Sequence, residues 1–163
     1  MAIALTHLHY PLDVKKCLKI ASKAYINAEE YTDNSGVYKP GQSIDHWLVG
    51  RHQHEYFDLV MKDLNIKGRP RFYWLEADTV LDEHVDFNTT CSVNFVLSEN
   101  AAPVTVGGQD FFYKQGLLNT TIPHSVTNSG TERILLKFSI FDVSYEDVLK
   151  LIPSEYLGES NII

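Results

Sequence analysis

Cysteine is scarce in this chain. Its 163 residues include two cysteines, Cys17 and Cys91, which lie far apart and form no CxxC pair. Two cysteines in this arrangement provide neither a disulfide framework nor a thiolate metal site. We expect both thiols to be free and buried, as is usual for a protein of a reducing compartment.

The sequence also lacks a long apolar stretch. No run approaches the ~18 residues that a membrane-spanning helix needs. The first residues, MAIALTHLHYPLD, contain neither a basic leader region nor a long apolar core, so no signal peptide is visible. We therefore expect a cytoplasmic protein that has no membrane partner.

Basic residues are outnumbered by acidic ones. The chain has 14 lysines and arginines against 21 aspartates and glutamates, a formal net charge of -7. A nucleic acid is therefore not the expected partner, because its phosphate backbone requires a basic surface. A small anionic ligand remains compatible with this balance, since one buried arginine can reverse the local field.

Helical patterns dominate the N-terminal part, after a short strand expected in residues 1–10. A first helix is predicted from Asp13, its N-cap, to Ala28, and a second from Ser43 to Asn65, which Gly50 could interrupt. Residues 31–42 are turn-rich and predict a loop. The buried stripe predicted for the first helix comprises Val14, Cys17, Leu18, Ala21, Ala24 and Tyr25.

From residue 69 onward the pattern changes to short strands separated by glycine-rich turns. Strands are predicted at 71–76, 91–97, 117–121 and 133–141, with a hairpin over 103–113 around Gly107-Gly108. A capped helix follows Ser144, and residues 154–163 are expected to be partly loose. The sequence predicts one mainly β domain of sandwich or jelly-roll type, with a helical support (1–68), a β-barrel core (69–142) and a C-terminal helix and tail (143–163).

One pattern in the β-rich part points to chemistry. His84 and Asp86 stand at i and i+2, so on a strand they share one face. A later histidine, His124, would complete a set of two histidines and one carboxylate, the facial site typical of non-haem Fe(II). A lone histidine in a β protein is more often structural, but the three residue types together favour a metal site.

Arg133 follows His124 by nine residues and begins an otherwise apolar strand. It could be a surface cation on an edge strand. Alternatively, its guanidinium could hold a carboxylate through two parallel hydrogen bonds, which a lysine cannot match. We favour the second interpretation, because a cation at the start of a buried strand needs a partner.

Other polar residues are weaker candidates. Ser92 and Asn94 share the polar face of one strand, and Tyr73 lies on the preceding aromatic strand; each could bind a ligand carboxylate or simply belong to the core. Four acids precede His84 and are best explained as a solvated loop: Glu76, Asp78, Asp82 and Glu83. If they bordered the site, they would favour a neutral or basic substrate.

The segments HVDFN, APVTVGGQDFFYKQG and IPHSVTNSGTERILLKFSIFD resemble the catalytic core of the Fe(II)/2-oxoglutarate-dependent oxygenases. Within that superfamily they are most similar to the aspartyl/asparaginyl β-hydroxylase group. The resemblance covers about 60 of the 163 residues. In one departure, Asp86 stands where that group often has glycine, which restores the fuller ligand set of the superfamily.

The resemblance implies a double-stranded β-helix, cupin-like, in which His84, Asp86 and His124 hold Fe(II). It also implies that Arg133 binds the distal carboxylate of 2-oxoglutarate and that an amino-acid side chain is hydroxylated, in a peptide, a protein or a free amino acid. Two alternatives stay open: a cupin-like metal-dependent isomerase or small-molecule binding protein, and a non-catalytic interaction domain. The sequence carries no motif for the oligomeric state.

Overall fold

A computed structural model describes residues 2–25, 29–30, 47–51, 53–86, 88–100, 102–128 and 130–163. These residues form twelve β-strands and three α-helices. In chain order they are β1 (Ile3–Leu8), α1 (Val14–Tyr25), β2 (Glu29–Glu30), β3 (Trp47–Gly50), α2 (Glu55–Leu64), β4 (Arg69–Leu75), β5 (Val80–His84), β6 (Cys91–Val96), β7 (Val104–Val106), β8 (Gln109–Phe111), β9 (Gln115–Leu118), β10 (His124–Thr127), β11 (Arg133–Ile140), α3 (Tyr145–Leu151) and β12 (Leu157–Ile162). None of the described helices is long and apolar enough to cross a membrane.

The strands form two antiparallel sheets. The larger has the order β12-β1-β9-β6-β11-β4-β3-β2, and the smaller has the order β5-β10-β7-β8. Gly107 and Gly108 adopt positive φ values between β7 and β8, which confirms the predicted hairpin. The predicted fold class is confirmed: a mainly β jelly roll with flanking helices.

The two faces of the larger sheet have different partners. On β11, Leu136, Phe138 and Ile140 belong to a core that they share with residues of the three helices. The alternate residue Leu135 belongs to a second core between the two sheets. Because side chains alternate along a strand, the polar residues of β11 share this inter-sheet face. The inter-sheet face of the larger sheet is therefore where a site can form.

Helix α1 begins as predicted and buries a narrower stripe. The Lys16 amide donates to Asp13 Oδ1 at 3.1 Å, which confirms the N-cap. Val14 and Tyr25 at its ends are 40% and 50% exposed, so their predicted burial is wrong. The buried residues are Cys17, Ile20, Ala21 and Ala24. Cys17 and Cys91 are free and buried, as predicted, and burial raises the pKa of the Cys17 thiol to about 12.

Within the described part of 43–65, the predicted helix is confirmed over Glu55–Leu64 and wrong over Trp47–Gly50. Trp47–Gly50 is strand β3, paired with β4, and α2 begins only at Glu55 after the His54 side chain accepts from the Tyr56 amide. The aromatic and branched residues of β3 favour a strand once a neighbour offers a ladder. A Cβ at Gly50 would lie 2.5 Å from the Trp74 ring, so the close contact between β3 and the Trp74 side chain requires glycine at this position. The predicted loop 31–42 lies outside the described residues.

The expectation of a loose C-terminal tail is also wrong. Ser154–Tyr156 forms a 3₁₀ turn, and β12 then pairs with β1 along its length. Strand β1 pairs on its other side with β9, so residues near both ends of the sequence lie in the larger sheet. The tail is ordered because it satisfies the backbone groups that β1 would otherwise expose at a sheet edge.

Candidate metal centre

His84, Asp86 and His124 meet at the inner face of the smaller sheet. His84 ends β5 and His124 begins β10, and the two residues are direct partners in the β5–β10 ladder. Their ring centroids lie 4.4 Å apart, and one ligand atom from each of the three residues lies within 4.8 Å of the others. The structure therefore brings together the three residues singled out from the sequence, and their role as metal ligands remains a prediction.

The hydrogen bonds of the two imidazoles define which nitrogen faces the centre. His84 Nδ1 lies 2.6 Å from the Asp82 carbonyl oxygen, and His124 Nδ1 lies 2.8 Å from the Ile122 carbonyl oxygen. A carbonyl only accepts, so each Nδ1 carries the proton. In the neutral rings each Nε2 then presents a lone pair towards Asp86. This backbone anchoring is the arrangement commonly found around metal-bound histidines.

The Asp86 carboxylate completes a convergence of lone pairs. Its Oδ1 lies 3.2 Å from Nε2 of both His84 and His124. Two neutral Nε2 atoms and a carboxylate oxygen are all acceptors, so only a proton or a cation can stabilise them at this spacing. Three such donors on one side of a cavity suit a divalent metal with open coordination positions.

Lys137, which the sequence interpretation missed, holds the other carboxylate oxygen. Its Nζ lies 2.7 Å from Asp86 Oδ2, and the Asp86 and Lys137 side chains are 10% and 15% exposed. Burial alone would raise the pKa of Asp86, but the Lys137 charge outweighs it and holds that pKa well below its usual range. Burial would lower the pKa of Lys137, and Asp86 raises it instead. The carboxylate is therefore ionised, with Oδ1 directed at the histidines.

We expect Asp86→Ala to lower the free energy of unfolding of the metal-free protein by about 3 kcal/mol, because it leaves the Lys137 charge largely buried without its partner. Adding Lys137→Met should restore part of that loss. The native carboxyl pKa is depressed, so the pair stabilises the protein at neutral pH and this contribution falls as the pH drops below ~4. Urea unfolding of the wild type and of the single and double variants at pH 7 and at about pH 3 measures these effects.

Glu159→Ala removes an exposed acid and is the matched control, expected within about 0.5 kcal/mol of wild type. A double variant no more stable than Asp86→Ala alone would contradict the importance of the Lys137–Asp86 pair.

Arg133 is not a surface cation. It is 3% exposed, and its Nη1 donates to Asn100 Oδ1 at 3.0 Å and to the Ala102 carbonyl oxygen at 2.8 Å. Its guanidinium carbon lies 5.7 Å from the ring centroid of Tyr113. Within the described part of the chain it forms no ion pair with a carboxylate. A buried guanidinium held only by neutral acceptors can still bind an anion.

One cavity of about 350 Å³ joins Arg133 to the triad. Asn94 and Tyr73, both candidates from the sequence, line it. Ser92 is fully buried, and its hydroxyl donates to Asn94 Oδ1 at 2.8 Å. It therefore lies behind Asn94 and, in contrast to its role as a candidate from the sequence, it does not line the cavity. Tyr113, which was not singled out from the sequence, lines the cavity and accepts from Asn94 Nδ2 at 3.1 Å.

The acids that precede His84 stay outside this cavity. Glu76, Asp78 and Glu83 are exposed, and Asp82 contributes its backbone carbonyl to His84. None of the four is among the residues that line the cavity. The solvated-loop interpretation therefore holds for Glu76 and Asp78, but it is wrong for Asp82 and Glu83, which lie in β5.

Comparison with solved structures defines the fold around this site. The chain is similar to a Pseudomonas putida prolyl-4-hydroxylase, with a TM-score of 0.59 and 12% identity over 86% of this chain and 94% of that one. The chain has a double-stranded β-helix fold. A cupin-2 domain protein from Rhodospirillum rubrum matches with a TM-score of 0.46 and 10% identity, over 76% of this chain and 79% of that one. No family model matches the chain, and the search of curated proteins found no match.

Proposed function

We propose that this protein is an Fe(II)- and 2-oxoglutarate-dependent dioxygenase that hydroxylates an amino-acid side chain, in a peptide, a protein or a free amino acid. One observation supports this most strongly: a single cavity contains both the three converging ligand atoms and a buried arginine that forms no ion pair with any described carboxylate. The prolyl-4-hydroxylase with the same fold is consistent with this chemistry.

The ligand set fits iron. Two neutral imidazole nitrogens and one carboxylate oxygen form the 2-His-1-carboxylate set that leaves three coordination positions open on Fe(II). When bound, the iron would supply the activation of oxygen that attack on a C–H bond requires. His84 and His124 keep their Nε2 atoms directed inward through their backbone hydrogen bonds. Lys137 keeps one carboxylate oxygen of Asp86 in place and leaves the other for the metal.

Arg133 is the proposed anchor for the distal carboxylate of the cosubstrate. Along β11 it precedes Lys137 by four residues, and both side chains line the cavity that contains the triad. We propose that a five-carbon dicarboxylate bound at the metal by one end extends along this wall and presents its other end to the guanidinium. Asn94, Tyr113 and Tyr73 offer further polar atoms on this wall.

The cavity also limits what else can bind. Its volume of about 350 Å³ is at the small end of the ~300–1,000 Å³ typical of ligand pockets. Apolar residues of the inter-sheet core, including Leu81, Val104, Val126 and Leu135, complete its wall. We propose that a small cosubstrate and one side chain or a small amino acid fill it and exclude water from the metal.

An assay of cosubstrate turnover tests this function. The protein is incubated aerobically with Fe(II), ascorbate and 2-oxoglutarate, with and without pools of amino acids and peptides, and succinate is measured. We expect succinate that requires both iron and oxygen and increases with the correct substrate. Metal binding without any succinate, together with conversion or binding of a sugar or other small molecule, would favour the cupin-like alternative.

A further inference from the structure

All four arginines of the chain line the same cavity. Arg51, Arg69, Arg71 and Arg133 are the only arginines in the sequence, and each contributes to its wall. Lys137 adds a fifth basic residue, against the single acid Asp86 among the described residues that line it. The protein as a whole has a net charge of -7, so this interior has the opposite sign. A basic cavity in an acidic protein concentrates anions.

The sheet register explains how the cations are grouped. Lys137 lies directly opposite Arg71 on one side and opposite Asn94 on the other. Like charges placed directly opposite each other destabilise a sheet unless an anion neutralises them. Asp86 neutralises Lys137, but Arg71 forms no ion pair within the described ranges of the chain. Arg71 Nε is moreover buried and has no hydrogen-bond partner among the residues that the structure describes.

Two more arginines lie beside Arg71 at the outer end of the cavity. Gly50 is the ladder partner of Phe72, so Arg51, the next residue, is brought alongside Arg71. Arg69, two residues earlier on β4, packs its guanidinium over the Phe141 ring at 5.0 Å. Arg51 and Arg69 are exposed, Arg71 is half-buried and Arg133 is buried, so the cations continue from the surface to the interior.

The outer arginines are separate from Arg133. Arg133 lies opposite Leu75, whereas Arg71 lies opposite Lys137, four residues further along β11 and about 13 Å away. With the distal carboxylate of the cosubstrate on Arg133, Arg71 lies at the other end of this stretch of β11, beside Lys137, and that carboxylate does not satisfy it. The cavity therefore has cations for a second anionic group.

We propose that Arg71, with Arg51 and Arg69, forms a subsite for a carboxylate or phosphate group of the substrate. This inference rests on the proposed function, in which Arg133 binds the cosubstrate. It assigns the substrate to an acidic class and replaces the neutral or basic substrate that the acids before His84 would favour. The planar fork of Arg71 supplies parallel hydrogen bonds to either anion.

The small number of arginines makes a direct test possible, because the NMR spectrum contains at most four arginine Nε–Hε signals. Each is assigned by one Arg→Gln variant in the zinc-loaded protein. Inorganic phosphate and acetate are then titrated, with sodium chloride at matched ionic strength as a control. We expect the Arg71 signal to move saturably with phosphate or acetate and not with chloride. The anion that saturates at lower concentration identifies the group that the subsite prefers.

Variants make the test specific. Arg71→Gln should raise the anion concentration at which the Arg51 and Arg69 signals are half-shifted by at least about tenfold. Arg71→Lys should raise this concentration less, because lysine retains the positive charge. Lys150→Gln removes one exposed cation elsewhere and should change nothing. An Arg71 signal that does not respond, or that responds equally to chloride, would overturn the subsite.

A second titration separates this inference from the function on which it rests. With 2-oxoglutarate saturating, we expect the Arg133 signal to have moved and the Arg71 signal still to respond to phosphate or acetate. If Arg133 ignores 2-oxoglutarate while Arg71 binds anions, the proposed cosubstrate is wrong and the subsite stands. If 2-oxoglutarate abolishes the response of Arg71, one ligand occupies both positions and the subsite is refuted.

Discussion

Replacing His124 with alanine is expected to remove at least 99% of iron-dependent succinate formation. The variant keeps one histidine and one carboxylate, and so loses a direct metal ligand of the proposed site. Loss of an outer-shell partner alone typically costs about 10–100-fold in metal affinity or activity, so loss of a ligand should exceed this range. Succinate formation at saturating 2-oxoglutarate, with iron affinity measured separately, tests the prediction.

His9→Ala is the matched control, because His9 is exposed and lies outside the cavity. This control variant should retain full activity and iron binding. His124 forms its strand pairing through the backbone, so the variant should show wild-type far-ultraviolet circular dichroism. Retention of activity by His124→Ala would refute the ligand assignment.

Arg133→Gln is expected to raise the concentration of 2-oxoglutarate needed for half-maximal activity by about 10–100-fold. Hydrogen bonds to a charged group contribute about 1.5–3 kcal/mol, which corresponds to this range. Glutamine retains polar atoms near Asn100 and the Ala102 carbonyl, so the substitution tests the charge rather than the packing. Because the proposed role is binding, KM should change far more than kcat.

Arg133→Lys provides the graded comparison. It retains the positive charge but not the two parallel donors, so its KM should lie between those of the wild type and Arg133→Gln. Lys150→Gln, which removes an exposed charge away from the cavity, should leave KM unchanged. An unaltered KM for Arg133→Gln would mean that Arg133 has only a structural role.

Part of the site could be predicted from the sequence because His84 and Asp86 are only two residues apart, although β5 ends at His84 and Asp86 follows it. His124 is distant along the chain but needed only one strand pairing to join them. Lys137 could not be found in this way. Its contact with Asp86 spans 51 residues and depends on how the two sheets pack. The grouping of the arginines likewise depends on the β3-β4-β11 order, which no local pattern encodes.

The errors in the predicted fold likewise come from contacts between residues that are distant along the chain. Residues 47–50 have no helix-breaking feature except Gly50, and they form a strand because β4 provides a partner. The last residues form β12 because they pair with the backbone groups that β1 would otherwise expose at the sheet edge. In both places long-range pairing outweighs local preference. The strands of the predicted β-rich part were easier to recognise because alternation and glycine turns are local signals.

An anaerobic titration of the metal-free protein with Fe(II) and 2-oxoglutarate tests the central claim most directly. The cosubstrate bound to iron through its keto acid end should produce a weak visible charge-transfer band. We predict a band that saturates at one iron per chain, is absent in His124→Ala, and needs more 2-oxoglutarate in Arg133→Gln. Iron binding without the band would contradict the role of 2-oxoglutarate, and no iron binding at all would contradict the metal centre.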